Sequence, residues 1–256
     1  MPEGSGAKRP VVCLVIATLE SGGAERVISS MADYWAEKGW KVHLISFHDA
    51  PPFYPVSDKA SVHLLGISGE SRTPLGGVFR NLRRVRVLRR LFRGVRPDAV
   101  VAFMSETAVV TLLAARGLGA RTFAAERIHP QNETVTGLWR RIRVPVYRRL
   151  ATRVVLQTGA TAEAYRRMGL ENIAVVPNPL TYLPPVEETR GPREKMILAV
   201  GRFTRQKGFD LLLRALAQTE SSGRTYIEDA GGGLWHLVIP GRGPLRDEMR
   251  ALAEEL

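Results

Sequence analysis

Three short segments of the chain place glycines and cations in patterns that suit phosphate binding. Thr18-Leu19-Glu20-Ser21-Gly22-Gly23-Ala24-Glu25 lies between an apolar, β-branched run and a stretch of helical period. Gly22 and Gly23 let the main chain pass close to a ligand there. The start of a helix adds unpaired N–H groups and a partial positive charge, so the segment suits a diphosphate. A tight strand-to-helix turn would use the same residues. The spacing is neither G-x-G-x-x-G nor G-x-x-x-x-G-K-[ST], which weakens the dehydrogenase and P-loop readings.

The second segment, Val200-Gly201-Arg202-Phe203-Thr204-Arg205-Gln206-Lys207-Gly208-Phe209-Asp210, again straddles a strand end and a helix start. Arg202 leaves the carboxyl end of the strand and Lys207 precedes the helix. Both cations can therefore converge, as a phosphate clamp, on the crevice where open α/β sheets bind ligands. Two solvated surface cations are the alternative. The third segment, Leu237-Val238-Ile239-Pro240-Gly241-Arg242-Gly243-Pro244-Leu245, is another strand followed by a glycine-rich turn at the same sheet edge as Arg202, and it adds Gly243 to the candidate ligand contacts. A turn with no ligand remains the competing account.

The elements that must position these segments follow from hydrophobic period. Short β-branched runs alternate with longer helical stretches, the pattern of a parallel sheet built from βαβ units. Strands are expected at Val11 to Ala17, Lys41 to Phe47, Val62 to Ile67, Asp98 to Met104, Thr122 to Glu126, Arg153 to Gln157 and Ile173 to Pro177. Helices are expected at Ala24 to Lys38, Gly77 to Arg96, Thr107 to Arg116, Leu138 to Leu150 and Gly159 to Met168, the first stopped by Gly39. After Asn178 the prolines at 179, 184, 185 and 192 punctuate a charged stretch without period, which reads as a linker over 179–194. The pattern restarts with strand Lys195 to Val200, helix Phe209 to Gln218, strand Leu234 to Ile239 and a last helix from Leu245. A doubly wound domain needs about five or six strands, so 195–256 is expected to be part of a second domain, while 1–10 reads as a loose tail and 11–178 as the first domain.

At 256 residues and 45% hydrophobic, the chain can fill one large or two modest cores. The lone Cys13 sits in an apolar run, which excludes an internal disulfide and fits a reducing compartment. Arginines interrupt every apolar stretch before the roughly 20 residues a membrane-spanning helix requires. The formal charge of +12 predicts attraction to phosphate, whether of nucleic acid, anionic lipid or a nucleoside diphosphate. Much of that charge lies in two amphipathic helices. Val78, Leu82, Val85, Leu88, Phe92 and Val95 repeat at helical spacing with arginines covering the remainder, and Arg140, Arg141, Arg143, Arg148 and Arg149 interleave with Leu138, Trp139, Ile142, Val146 and Tyr147. The apolar faces are expected on the sheet and the arginines outside, where they can hold the protein peripherally on an anionic membrane.

In their order and their positions at strand ends, Ser21-Gly22-Gly23-Ala24-Glu25, Val176-Pro177-Asn178-Pro179, Gly201-Arg202 with Lys207-Gly208-Phe209-Asp210, and Gly241-Arg242-Gly243-Pro244 resemble glycosyltransferase family 4 over nearly the whole chain. The resemblance implies the GT-B fold: two Rossmann-like α/β domains, here an acceptor-side domain followed by an incomplete donor-binding one. It implies transfer of a sugar, with retention of configuration, from a UDP- or GDP-sugar to a glycan or lipid-linked acceptor of the cell envelope. Arg202 and Lys207 would then be catalytic, holding the pyrophosphate and stabilising the leaving group, with Gly22, Gly23 and Gly243 also on the donor. No cofactor or metal is expected, since fixed cations can neutralise a departing diphosphate. Ala125-Glu126-Arg127-Ile128-His129-Pro130 is similar to a Ser-Glu-Arg-Asn-containing segment of some members, with Ala125 in place of the serine. It makes Glu126, Arg127 and His129 candidate acceptor or sugar contacts, against the alternative of a capped surface loop. The family's paired-glutamate segment would lie beyond Leu256, so the chain as given is expected to bind donor poorly and turn over little. A cytoplasmic, peripherally attached protein fits these properties. Two other readings stand beside this one: a sugar-nucleotide epimerase of the same architecture, and a basic nucleic-acid-binding module. The latter lacks zinc-ligand spacing, a basic-region heptad or an aromatic RNA-binding strand, and no specific nucleic acid is expected.

Overall fold

The structure, a computed structural model, describes residues 9–69, 73–131, 137–180, 196–221 and 236–256. The expected tail lies almost wholly outside the described residues, and so does most of the expected linker. The chain forms two compact units, Met1–Leu183 and Pro184–Leu256.

The first unit is a seven-stranded parallel sheet in the order β3-β2-β1-β4-β5-β6-β7. Its strands are β1 (Val11–Ile16), β2 (Lys41–Ser46), β3 (Ser61–Leu64), β4 (Ala99–Phe103), β5 (Arg121–Ala125), β6 (Arg153–Leu156) and β7 (Ile173–Val175). Each strand begins within one residue of the expected start and stops within three residues of the expected end. β1 pairs with β2 on one side (Val12↔Val42) and with β4 on the other (Val12↔Ala99). Being central, it is buried at every position, which explains its unbroken apolar run. Its alternate side chains feed two separate cores. Val12, Leu14 and Ile16 pack with Ile28 of helix α1 (Gly23–Glu37), while Cys13 and Val15 pack with Leu88 and Phe92 of α2 (Pro74–Val95). Burial pushes the Cys13 thiol up to about 12, so it behaves as a small apolar side chain.

Right-handed crossovers dictate which face each helix covers. The chain winds one way through α1, then crosses back after β3 and winds the other way through α2, α3 (Ser105–Ala115), α4 (Gly137–Leu150) and α5 (Gly159–Arg167). Helix α2 begins three residues earlier than its apolar period indicates, because the Thr73 hydroxyl caps it by accepting from Gly76 N at 3.2 Å with Pro74 at the first position.

The arginines are less uniformly solvated than the sequence implies. Arg84 spends its guanidinium on Ile67 O, Gly69 O and Asn81 Oδ1, at 3.0, 3.2 and 3.1 Å. Arg89 Nη1 donates to Ala114 O and Arg116 O at the carboxyl end of α3, where carbonyls lack helical partners. Arg143 is fully buried. A second departure lies in α2, where only the later apolar positions reach the core and Val78 and Leu82 stay exposed. Among the described residues no helix is long and apolar enough to cross a membrane.

In the second unit β8 (Met196–Leu198) and β9 (His236–Val238) pair in parallel, and α6 (Phe209–Ser221) and α7 (Arg246–Glu255) pack a small core of Phe203, Phe209, Met249 and Leu252. These are the expected four elements. Two strands are far short of a complete doubly wound sheet, so among the described residues the second Rossmann-like domain is partial.

On neighbouring strands β2 and β3, His43 Nδ1 and His63 Nε2 share a hydrogen bond at 3.0 Å. Partial burial holds both imidazoles below their ordinary 6.5, and His63 and Lys41 press His43 lower still. The folded state thus disfavours the protonated rings, and the pair's contribution is intact above about pH 6.5 and lost as pH falls through the lowered values. The urea midpoint of the protein is expected to drop on acidification below about pH 6.5, and to drop less in His63→Gln. An equal acid-induced drop in the variant would exclude the pair as its source.

Candidate functional site

An open α/β sheet binds ligands at the carboxyl ends of the strands where its winding reverses. Here that point lies between β1 and β4. Ala17 and Thr18 after β1, Met104, Ser105 and Glu106 after β4, and Arg84 from α2 are among the residues that line a cavity of about 360 Å³. Glu106 stands exposed at its mouth, with burial on the cavity side raising its carboxyl and Arg84 opposing that.

Met104 caps α3 with φ 71 and ψ 148, a left-handed conformation that costs a non-glycine residue about 1–3 kcal/mol. A buried polar cluster holds it there. Met104 N donates to Ala125 O at 3.0 Å, and Met104 O accepts from Ala108 N at 2.8 Å. Beside it Ser105 Oγ donates to Glu126 Oε1 at 2.8 Å, Arg143 Nη1 donates to Ser105 Oγ at 3.2 Å, and the Tyr147 hydroxyl donates to Glu126 Oε1. Glu126 is only 2% exposed. Burial raises its carboxyl and the Tyr147, Ser105 and Arg143 contacts pull the other way, while the same burial and the carboxylate push the Tyr147 hydroxyl up.

The structure divides the three residues after β5 that sequence reasoning grouped. Glu126 points into the core, where it bonds Ser105 beside the Met104 turn instead of lying at the surface. Arg127 points to the opposite face, as alternation along an extended chain requires. Its guanidinium lies 4.1 Å from the Phe103 ring centroid, donates to Asn178 Oδ1 and is brought by burial to about 10. His129 is half-buried, and its Nδ1 accepts from Gln131 N at 3.3 Å. Between them Ile128 reaches the cavity. The strained turn, Arg84 and Glu106 were missed in the sequence; the only signal for them was their place just past a strand or on the crossover helix.

Gly22 is the N-cap of α1 and is extended, at φ −178 and ψ 166, so its backbone conformation does not demand glycine. A Cβ on Gly22 would meet only the flexible Glu25 carboxylate, and one on Gly23 would meet nothing. The Glu25 carboxylate therefore lies beside the N-cap of α1, in the space a Gly22 side chain would take.

In the second unit glycine is a steric necessity. A Cβ on Gly241 would strike Gly201 O, and one on Gly243 would collide with the Phe203 main chain. These contacts let the loops after β8 and β9 run side by side, with Phe203 N donating to Arg242 O at 2.9 Å and Leu245 N to Phe203 O at 3.1 Å. Arg202 lies on that paired segment and is exposed. Lys207 ends a short 3-10 helix (Arg205–Lys207), closed by Gly208 at φ 65, and its Cγ and Cδ lie 3.6 and 3.5 Å from where a Gly201 Cβ would be. Both cations therefore stand at the carboxyl end of β8. Among the described residues no group of three or more potential metal-ligating side chains converges.

The model of a glycosyl transferase 4-like domain matches residues 22–179. A Campylobacter jejuni GalNAc-alpha-(1->4)-GalNAc-alpha-(1->3)-diNAcBac-PP-undecaprenol alpha-1,4-N-acetyl-D-galactosaminyltransferase is 23% identical over 248 residues, covering 96% of this chain and 65% of that protein. The amylovoran biosynthesis glycosyltransferase AmsD of Erwinia amylovora is 25% identical over 245 residues, covering 93% and 64%. This chain thus spans less than two thirds of the length of these curated relatives. Among solved structures, the lipopolysaccharide outer core galactosyltransferase WaaB has a TM-score of 0.61 at 18% identity, covering 96% of this chain and 64% of that one. Anabaena HepE in complex with UDP and glucose has a TM-score of 0.64 at 15% identity, covering 95% and 65%. These likenesses are of fold, the GT-B architecture expected above.

Replacing Glu126 by Ala leaves Arg143 and Tyr147 buried around a lost carboxylate, and is expected to lower the unfolding free energy by about 3–5 kcal/mol. Denaturation in urea reads the loss, and a change under about 0.5 kcal/mol would show that the cluster does not hold the turn. Gly241→Ala is expected to expose 196–256 to limited proteolysis while Gly23→Ala does not; equal protease resistance would rule out the steric role.

Proposed function

We propose that this chain, which belongs to the glycosyl transferase 4-like domain family, serves a retaining hexosyl transfer from a UDP- or GDP-sugar to a glycan or lipid-linked acceptor in envelope polysaccharide synthesis. The observation that carries the reading is the placement of Arg202 and Lys207. Both are exposed at the carboxyl end of β8, one on a main-chain segment fixed by Gly241 and Gly243, the other with its stem along Gly201. Two cations carried on a firmly held strand exit suit a diphosphate and can stabilise charge as it develops on the leaving group. Arg202 and Lys207 then act as catalytic groups that neutralise the departing nucleoside diphosphate, without a metal, while the anomeric carbon gains oxocarbenium character and the acceptor hydroxyl attacks from the same face. Gly22, Gly23 and Gly243 keep main chain close to the donor. The cavity between β1 and β4 takes the acceptor, since Thr18, Ser105 and Glu106 offer it hydroxyl and carboxylate partners for sugar hydroxyls. The relatives' names support the substrate class: one acts on an undecaprenol-linked glycan, another in amylovoran biosynthesis. A place at the cytoplasmic face of the membrane fits such an acceptor.

Calorimetric titration of UDP and GDP into the protein tests the clamp. Arg202→Ala and Lys207→Ala are each expected to weaken binding about tenfold to a hundredfold, the range for a charge-assisted bond to phosphate. Undiminished nucleotide affinity in both variants would remove the two cations from the donor site.

A further inference from the structure

The main chains that follow β8 and β9 stay paired beyond the strands themselves. Ala199 N donates to Val238 O at 3.0 Å, Gly201 N to Pro240 O at 3.3 Å and Phe203 N to Arg242 O at 2.9 Å, each bond lying two residues further along both segments. That stride continues the parallel register of Leu198↔Val238 and sets Arg202 directly opposite Arg242. Neighbouring extended segments lie about 4.8 Å apart, and side chains at one register position leave the same face. Phe203 turns into the core with Phe209 and Met249, so by alternation the two arginines leave on the other side.

Both arginines are exposed, and among the described residues neither has an ion pair. Like charges directly opposite each other on paired segments are destabilising. The segments cannot relieve this by parting without losing the main-chain bonds and the close approach of Gly241 to Gly201 O. An anion shared between the two guanidinium groups resolves the repulsion, since each offers a planar fork of donors to phosphate oxygens. Lys207, whose stem lies along Gly201, brings another positive charge to the same strand exit.

Together Arg202, Lys207 and Arg242 carry more charge than an intact sugar nucleotide calls for. Its diphosphate bears about two negative charges, and cleavage adds about one more, because the freed terminal phosphate ionises a second time with a pKa near 6. The bond between the anomeric carbon and the terminal phosphate oxygen breaks with both electrons staying on that oxygen. The acceptor's oxygen bonds the carbon, and the acceptor's proton ends in solvent. We infer that Arg242 is a further catalytic residue, which shares the terminal phosphate with Arg202 and takes up the charge that phosphate gains as the nucleoside diphosphate leaves. A contact that is stronger on the departing group than on the bound donor lowers the barrier, whereas one equal on both only tightens binding. The inference rests on the transferase reading of Arg202 and Lys207.

Calorimetric titration of UDP, GDP, UDP-glucose and GDP-glucose into the whole chain at about pH 8, where the terminal phosphate is fully ionised, tests it. Arg242→Gln is expected to weaken binding of the free diphosphate about tenfold or more, and to weaken binding of its glucose ester distinctly less. Arg214→Gln, which removes an exposed arginine of α6 and the same net charge, is expected to change neither by more than about twofold. The ligand-free thermal midpoint of Arg242→Gln is expected to be at least as high as the parent's, because the like-charge contact is gone. A loss no larger than that of Arg214→Gln would overturn the inference, and so would an equal loss for diphosphate and ester. If Arg202→Ala and Lys207→Ala weaken diphosphate binding while Arg242→Gln does not, the inference alone fails; if none of the three does, the donor-site reading fails with it.

Discussion

The reversal of winding between β1 and β4 is the constraint on which the first unit depends. Parallel strands must be joined by crossovers of one hand, so the reversal sends α1 to one face and α2 through α5 to the other. It also leaves two neighbouring strand ends whose loops part, and the cavity opens between them. The loop after β4 has to turn sharply into α3, and it does so through a left-handed methionine instead of a glycine. Such a residue persists only where its surroundings over-determine it. Ser105, Glu126, Arg143 and Tyr147 do this from below, by hydrogen bonds that would be strained or broken if the turn relaxed.

The second unit solves a related problem by different means. Its two strand-exit loops approach so closely that side chains are excluded at Gly241 and Gly243, and the main chains bond directly. The segment carrying Arg202 is therefore stiff although the arginine is exposed. In the first unit a buried polar network holds a residue that faces a cavity; in the second, bare main-chain contact holds a residue that faces solvent. Each fixes the main chain at a strand's carboxyl end, and in the first unit the neighbouring polar side chains are held as well.

The arginine surplus divides along the same lines. Arg84 and Arg89 bond to main-chain carbonyls and stitch α2 to its neighbours, Arg143 belongs to the buried cluster, and Arg83, Arg86, Arg90 and Arg93 remain outward. Net charge alone treats these as one population. The outward group faces solvent, and it shares its helix face with exposed apolar side chains.

The sequence by itself determined the element types, their order and the α/β class. Periods of two and of 3.6 residues, together with cap and turn residues, are local signals that survive without knowledge of the partners. It also located Gly22, Gly23, Arg202, Lys207 and Gly243 at strand exits, because position within a βαβ unit follows from element order. Tertiary structure alone decided which side of β5 each following residue would face, sending Glu126 into the core and Arg127 to the opposite face. It decided too that α2 overhangs its sheet, leaving Val78 and Leu82 exposed where helical period had placed them inside. Burial is a property of what the neighbouring elements cover, and which turns of a crossover helix the sheet covers is not written in any local pattern.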